Sequence, residues 1–164
     1  MGGIDYMIKI RKAKEEDFEE IKGLVVEIND IHAKARPDLY NFTEDPITIN
    51  EFYELLRCRT TDIFIAINLC NNEIVAYSIL NIINNKCLLF TKNKYYGYIE
   101  EFCVKSNYKR RGIGKTLFSY IKEYAKELGL SSLQLTVWEF NEDARYFYES
   151  LGMITRNRRM EMEI

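Results

Sequence analysis

A short basic segment that contains two glycines constrains this chain more than any other feature. Residues 109–116 read Lys-Arg-Arg-Gly-Ile-Gly-Lys-Thr and lie between a strand-like run and an amphipathic helical stripe. Glycines let a backbone approach a ligand closely, and the first N–H groups of a helix attract anions. We therefore predict that this segment binds a diphosphate, with cationic support from Lys109, Arg110, Arg111 and Lys115.

Three phosphate-binding patterns have glycines at similar spacing. Residues 114–116 match the end of a P-loop, but that motif requires a glycine where this chain has Lys109. A dinucleotide fingerprint requires a third glycine where this chain has Leu117. The remaining pattern, [Gln/Arg]-x-x-Gly-x-[Gly/Ala], resembles the pyrophosphate signature of the GNAT N-acetyltransferase superfamily, with Lys109 in its first position. The alternative is a basic turn that only caps a helix.

The resemblance extends from residue 8 to the C-terminus and implies an α/β fold, an α+β three-layer sandwich. Its sheet would be mixed, mostly antiparallel and flanked by helices. The resemblance also implies acetyl-CoA as cosubstrate and no metal. The residues that would bind acetyl-CoA are Phe102, Cys103, Val104, Lys109, Arg110, Arg111, Gly112, Ile113, Gly114, Lys115, Thr116, Asn141 and Tyr148.

A second motif supports the same resemblance. Residues 141–152 match the superfamily segment Asn-x-x-Ala-x-x-x-Tyr-x-x-x-Gly at its full spacing. The resemblance implies that Asn141 contacts the pantetheine arm or the phosphate region. Tyr148, two helical turns further along the same face, would protonate the departing thiolate, since a phenol has a reference pKa of about 10. Tyr148 is the predicted catalytic acid.

Two adjacent acids precede the basic segment. Residues 98–104 read Tyr-Ile-Glu-Glu-Phe-Cys-Val and resemble the Tyr-Leu-Glu-Asp-Phe-Phe-Val run of diamine and polyamine acetyltransferases. That resemblance assigns the catalytic base to Glu100, and Glu101 is the second candidate. A regular strand would point the two side chains to opposite faces, so that only one enters the substrate groove. The alternative role is electrostatic attraction of a cationic substrate.

The resemblance implies that the region after the first helix shapes the acceptor pocket, and Trp138 lies beside the same groove as a pocket-wall or core residue. Thr136 stands where enzymes that acetylate a ribosomal-protein N-terminus have glutamate, which disfavours that substrate class. A covalent route through Cys103 is disfavoured because the thiol lies in a buried strand without a histidine base. The predicted acceptor-binding residues are His32, Tyr40, Phe42, Glu100 and Trp138.

Composition limits the classes of protein to which this chain could belong. The chain has 164 residues, of which 47% are hydrophobic, and this predicts one domain over residues 1–164 with a flexible extension at residues 1–6. A net charge of −2 disfavours a nucleic-acid partner, and no apolar run is long enough to span a membrane. We expect a cytoplasmic protein, and the resemblance allows a homodimer.

The patterns predict strands at 7–11, 63–69, 74–83, 96–104 and 133–138, and a final strand or hairpin within 153–164. Helices are predicted at 14–31, 48–58, 113–128 and 141–151, with Thr48 and Glu51 forming a capping box. The predicted function is direct acetyl transfer from acetyl-CoA to a primary amine of a small molecule, such as a diamine or polyamine, or of a peptide or protein. The alternative is a non-catalytic acyl-CoA-binding regulatory module of the same fold.

Overall fold

The computed structural model describes residues 7–85 and 94–164. The predicted extension at 1–6 and most of the polar segment at 84–94 lie outside the described residues. The strands are β1 Ile8–Lys12, β2 Thr61–Asn68, β3 Glu73–Asn84, β4 Tyr95–Val104 and β5 Leu133–Leu135. The helices are α1 Phe18–Ala35, α2 Ile49–Arg57, α3 Ile113–Glu127 and α4 Glu142–Ser150, with short 3-10 helices at Glu15–Asp17 and Ser106–Tyr108.

The strands form a mixed sheet in the order β1-β2-β3-β4-β5. The first four strands pair antiparallel, and β5 pairs parallel to β4. One apolar core joins α1 and α2 to one face of the sheet, and a second core joins α3 to the opposite face. The predicted α/β sandwich with a mixed, mostly antiparallel sheet is confirmed.

The helix starts follow local capping chemistry. Thr48 and Glu51 form the predicted capping box, in which the Glu51 N–H donates to Thr48 Oγ1 at 3.3 Å and the Thr48 N–H donates to Glu51 Oε2 at 2.7 Å. Helix α1 begins at Phe18, four residues after the predicted start. The residues before it form a separate turn, because the Lys14 N–H donates to Asp17 Oδ2 at 2.7 Å and the Asp17 N–H donates to the Lys14 carbonyl at 3.1 Å. Asp17 also accepts two hydrogen bonds from Arg11, at 2.7 and 2.8 Å.

A β-bulge interrupts the pairing of β3 with β4. Ile79 pairs with Glu101 and Leu80 pairs with Ile99, so Glu100 is the extra residue. A bulge reverses the alternation of side chains along its strand. The buried Ser78 hydroxyl donates to the Glu101 carbonyl at 2.9 Å and so supports the backbone where the ladder is irregular.

The C-terminal region departs from the prediction. Strand β5 ends at Leu135, three residues before the predicted end, and residues 153–164 form no regular element. The predicted final strand is wrong, because an alternating pattern makes a strand only where a neighbouring strand supplies hydrogen bonds. Side chains hold the segment instead, with Arg156 donating to Gln134 at 2.7 Å and Arg36 to Glu161 at 3.0 Å.

Among the helices that the structure describes, none combines the length and the hydropathy that crossing a bilayer requires.

Candidate active site

The N-terminus of α3 has the features of an anion site. Gly112 precedes the helix in the left-handed region, at φ 80°, and no side chain caps the helix. The first intrahelical N–H to be paired is that of Thr116, which donates to the Gly112 carbonyl at 3.0 Å. The N–H groups of residues 113–115 therefore point out of the helix end. The first turn carries no acid, and the side chains of Lys109, Arg110, Arg111 and Lys115 are all exposed.

The two glycines of this segment have different physical causes. A side chain at Gly112 would meet no atom within 4 Å, so its positive φ explains the glycine. A Cβ at Gly114 would lie 3.2 Å from the Phe147 ring and 3.3 Å from Val104. A side chain at Gly114 would therefore crowd the packing of α3 against α4 and β4, which the ligand-approach interpretation of the glycine pair did not foresee. A diphosphate fits this helix end, because there is space around Gly112, the N–H groups of residues 113–115 are unpaired within the helix and cationic side chains lie nearby.

Among the residues that the structure describes, none pairs with the edge of β4 beside this helix end. Strand β5 pairs with β4 at Gly97, Tyr98 and Ile99, and its pairing ends there. The Gly97 N–H donates toward β5, to Ser132 at 2.9 Å, whereas the Lys105 N–H donates toward β3, to Val75 at 2.8 Å.

Between Gly97 and Lys105, the backbone N–H groups point alternately toward and away from β3, and the bulge at Glu100 shifts this alternation by one residue. Those of Phe102 and Val104 point away from β3, into the gap that opens where β5 has diverged. An extended amide-containing ligand could pair with this edge as an added strand would. Residues 102–104, which the resemblance assigns to acetyl-CoA binding, therefore lie beside an opening in the sheet.

The bulge also changes the orientation of the two acids. Tyr77 donates a short hydrogen bond to Glu101 Oε2, and Asn81 donates to Glu100 Oε2 at 3.5 Å. Because Tyr77 and Asn81 alternate with intervening residues on β3, they lie on one face of the sheet. The expectation that the two carboxylates point to opposite faces is wrong.

The two carboxylates differ in environment. Glu100 is exposed and Glu101 is half-buried. Burial raises the pKa of Glu101, with a further increase from the charge of Glu100, and the hydrogen bond from Tyr77 opposes this rise. Oε1 of Glu101 has no hydrogen-bond partner in the described part of the chain and is not enclosed by protein. One carboxylate oxygen of Glu101 is therefore held by a hydrogen bond, and the other is available to a ligand.

Tyr148 lies in the last turn of α4 with its ring packed against Phe102 and Phe118, at centroid distances of 6.2 and 6.3 Å. Burial, and to a smaller extent the charge of Cys103, raise its pKa above the ordinary value of a phenol. Within residues 7–85 and 94–164 its hydroxyl makes no hydrogen bond, and it is not enclosed by protein. A protonated phenol that solvent can reach fits a proton donor.

Two further residues near β4 and α4 clarify the chemistry. Burial raises the pKa of the Cys103 thiol to about 12, which keeps it protonated and supports the argument against a covalent route. Asn141 caps α4 as predicted, since its Oδ1 accepts from the Ala144 N–H at 3.2 Å. Only its Nδ2 group then remains to donate to a ligand.

The structure brings together three of the predicted acceptor-binding residues. The His32 and Tyr40 rings are 5.2 Å apart, and the Tyr40 and Trp138 rings are 6.1 Å apart. Burial lowers the pKa of His32, which keeps the imidazole neutral. Phe42 makes no ring contact with these residues in the described structure, and 57% of its surface is exposed.

Sequence reasoning missed two members of this aromatic group. The Phe140 ring stacks on Trp138 at 5.8 Å, and the Arg36 guanidinium lies 5.3 Å from the Trp138 ring. The position of Phe140, directly before the motif asparagine, could have indicated its place. No pattern in the sequence singles out Arg36.

These features match a known family. The chain belongs to the acetyltransferase (GNAT) family, whose family model matches residues 11–153. The fold is shared with a mutant of the BH1408 protein from Bacillus halodurans, with a TM-score of 0.92, 27% identity and coverage of 95% of this chain and 99% of that one.

Several relatives are named as N-acetyltransferases. The thialysine N-epsilon-acetyltransferase of Bos taurus is 26% identical over 151 residues, which cover 88% of this chain and 83% of the relative. An uncharacterized N-acetyltransferase of Lactobacillus delbrueckii subsp. lactis is 42% identical over 55 residues, which are 34% of this chain and 32% of the relative. The L-ornithine N5-acetyltransferase of Arabidopsis thaliana is 34% identical over 55 residues, or 34% of this chain and 24% of the relative. The chain therefore spans about a third or less of two of these relatives.

Proposed function

We propose that this protein is an acetyl-CoA-dependent N-acetyltransferase that transfers the acetyl group directly to a primary amine. One observation carries the proposal, namely the open cationic N-terminus of α3 beside the free edge of β4. A diphosphate fits the helix end, and an amide-containing arm fits the strand edge. Family membership and the names of the relatives support acetyl transfer as the activity.

The binding residues act mainly through their backbone. The N–H groups of residues 113–115 would donate to the diphosphate, and the exposed side chains of residues 109–111 would add positive charge. The N–H groups of Phe102 and Val104 would hold the pantetheine arm and the thioester carbonyl. Acetyl-CoA, when bound, supplies an acetyl group activated as a thioester. Donors aimed at the carbonyl oxygen stabilise the charge that develops there during attack.

Proton transfer requires a base and an acid. An alkyl ammonium has a reference pKa of about 10.4, so one carboxylate of the pair Glu100 and Glu101 would accept its proton, directly or through water. The neutral nitrogen then attacks the carbonyl carbon, and the C–S bond breaks as the C–N bond forms. Tyr148 would give its phenolic proton to the departing sulfur. The proton lost from the new amide nitrogen would restore the phenol through solvent, and the carboxylate would release its own proton to bulk water.

The acceptor proposed is a cationic aliphatic amine. The two carboxylates on one face of β4 favour a positive substrate, and the relatives are named for acetylating amines of thialysine and ornithine. Diamines, polyamines and amino acids with a side-chain amine share this chemistry, as does a protein lysine. The rings of His32, Tyr40, Trp138 and Phe140 would line the pocket.

The test measures release of the free CoA thiol from acetyl-CoA in the presence of pooled amines. Pools of diamines and polyamines, basic amino acids, aminoglycosides and lysine peptides separate the acceptor classes. We expect amine-dependent release that decreases in Tyr148→Phe. Binding of acetyl-CoA without turnover in every pool would favour the non-catalytic acyl-CoA-binding module, which the named relatives do not support.

A further inference from the structure

The buried hydroxyl of Tyr77 has one hydrogen-bond partner in the described chain, the Glu101 carboxylate. We propose that Tyr77 is a positioning residue that orients Glu101 as the base of the acetyl transfer, so that Glu101 and not Glu100 accepts the amine proton. This inference rests on the proposed function. It assigns distinct roles to two adjacent acids that the resemblance does not separate in this way.

Strand register explains why Tyr77 reaches Glu101. Tyr77 pairs with Cys103 and Ile79 pairs with Glu101, so Tyr77 is the diagonal neighbour of Glu101 across the antiparallel ladder. Diagonal neighbours lie within reach of long aromatic side chains. The residue directly opposite Glu101 is apolar Ile79, which offers no competing polar group.

The hydroxyl of Tyr77 is held in a rigid environment. Its side chain is completely buried and belongs to the core between the sheet and α1. Burial, followed by the charge of Glu101, raises the pKa of Tyr77 well above its ordinary value. The phenol therefore stays protonated and donates to the carboxylate.

Glu101 is held twice, by neighbouring residues of β3. Tyr77 holds Oε2 of its side chain, and the Ser78 hydroxyl donates to its backbone carbonyl at 2.9 Å. These two bonds fix the carboxylate at the bulge and leave Oε1 available, which a proton acceptor requires. Glu100, by contrast, is exposed, and its contact with Asn81 is 3.5 Å long. We assign Glu100 to electrostatic attraction of the cationic acceptor.

Several titratable groups surround this carboxylate. Glu100 and Cys103 are neighbours on β4, and Tyr77 faces it from β3. Glu27 of α1 and Lys109 interact with Cys103, and Tyr148 of α4 also interacts with Cys103. Among these groups, only Tyr77 donates a hydrogen bond to the Glu101 carboxylate in the described structure.

The sign of the expected pH effect follows from this bond. A donor to a carboxylate stabilises its charged form and lowers its pKa. The Tyr77→Phe substitution removes the donor, so Glu101 is protonated at higher pH and is lost as a base there. The acid limb of the kcat/KM profile should move to higher pH, because the free enzyme must have this group ionised.

The test compares Tyr77→Phe with Tyr124→Phe. The Tyr124 hydroxyl also donates to a carboxylate, that of Asp62 at 2.6 Å, but on the face of the sheet that α3 covers. The substitution therefore removes a comparable tyrosine–carboxylate bond elsewhere. We expect the acid limb to move to higher pH in Tyr77→Phe only. Its kcat should decrease about tenfold with an unchanged KM for acetyl-CoA, since a misoriented base affects the chemical step.

A kcat within twofold of wild type and an unmoved acid limb in Tyr77→Phe would overturn the inference. A second measurement is independent of turnover, namely titration of the Glu101 carboxyl by NMR in wild type and in folded Tyr77→Phe. We expect a higher pKa in the variant, and an equal pKa would overturn the positioning role even in an inactive protein. An inactive wild type with the expected NMR shift would refute the proposed function and the role of Glu101 as base, but not the contact.

A third comparison separates the two acids. Glu101→Gln keeps a hydrogen-bond acceptor for Tyr77 and removes the base, so we expect kcat to decrease about a hundredfold, within the range for general bases. Glu100→Gln should mainly raise KM for a cationic amine. The reverse pattern would assign the base to Glu100 and overturn the inference.

Discussion

Helices α3 and α4 both contact β4, but their first turns are built in opposite ways. Helix α3 begins after a left-handed glycine, with no side-chain cap and no acid in its first turn. Helix α4 begins with the Asn141 cap followed by Glu142 and Asp143, whose charges suit the helix dipole. The first turn of α4 therefore supplies its own cap and its own negative charge. The α3 start leaves donors and positive potential for a ligand.

The difference between the two helix starts predicts different roles for α3 and α4. In the proposed function, α3 contributes through its open end, whereas α4 contributes through Tyr148 in its last turn, where the ring packs on Phe102. Changes at the α3 end should therefore alter the affinity for acetyl-CoA. Changes at Tyr148 should alter turnover, and changes at the α4 start should alter mainly stability.

The largest expected effect is on Tyr148. In Tyr148→Phe we expect kcat to decrease about a hundredfold, the lower range for loss of a general acid, while KM for acetyl-CoA changes less than about twofold. Steady-state kinetics with a fixed amine would measure both. The control is Tyr146→Phe on the same helix, whose side chain is 64% exposed. Equal loss of activity in the two variants would remove the special role of Tyr148.

A charge reversal at the α3 end should have a smaller effect. Lys115 lies in the first turn of α3, and Lys122 is exposed two turns further along the same helix. In Lys115→Glu we expect the dissociation constant for acetyl-CoA to rise about tenfold, because a negative charge opposes both the dipole and the ligand. Lys122→Glu makes the same change in net charge and should stay within about twofold of wild type. Calorimetric titration would measure both, and equal weakening would indicate a nonspecific charge effect.

The smallest expected effect is the loss of stability when the side-chain cap of α2 or α4 is removed. Asn141→Ala and Thr48→Ala each remove a side-chain cap and should lower the free energy of unfolding by about 1 kcal/mol. For a chain of this size that loss corresponds to a decrease in Tm of about 2–4 °C. Thermal unfolding would show it, and the affinity of Thr48→Ala for acetyl-CoA should not change. An unchanged Tm in Asn141→Ala would contradict the account of the α4 start.

The sequence predicted those parts of the fold that short-range chemistry determines. The capping box at Thr48 and Glu51 and the Asn141 cap each depend on residues three positions apart, and both are confirmed. Apolar periodicity also located β2, β3, β4 and α3 to within a few residues.

Features that depend on strand pairing were not predictable in the same way. The bulge at Glu100 arises from the register between β3 and β4, and it reversed the expected orientation of the acid pair. The alternating residues after Met153 predicted a strand, but residues 154–164 stay exposed and form none. Strand β5 is only three residues long and therefore offers few backbone groups with which a further strand could pair. The sequence likewise gave no sign that Tyr77 lies diagonal to Glu101.

The most direct test of the open helix end is a calorimetric titration of acetyl-CoA into wild type, Gly112→Val and Gly129→Val. Both glycines have positive φ, 80° and 68°, and a Cβ at either would meet no atom within 4 Å. The two substitutions should therefore strain the backbone similarly. We predict that wild type and Gly129→Val bind acetyl-CoA alike and that Gly112→Val binds at least about tenfold more weakly, since strain of about 1–2 kcal/mol falls on the ligand-binding turn. Absence of binding to wild type, or equal binding by the two variants, would contradict the account.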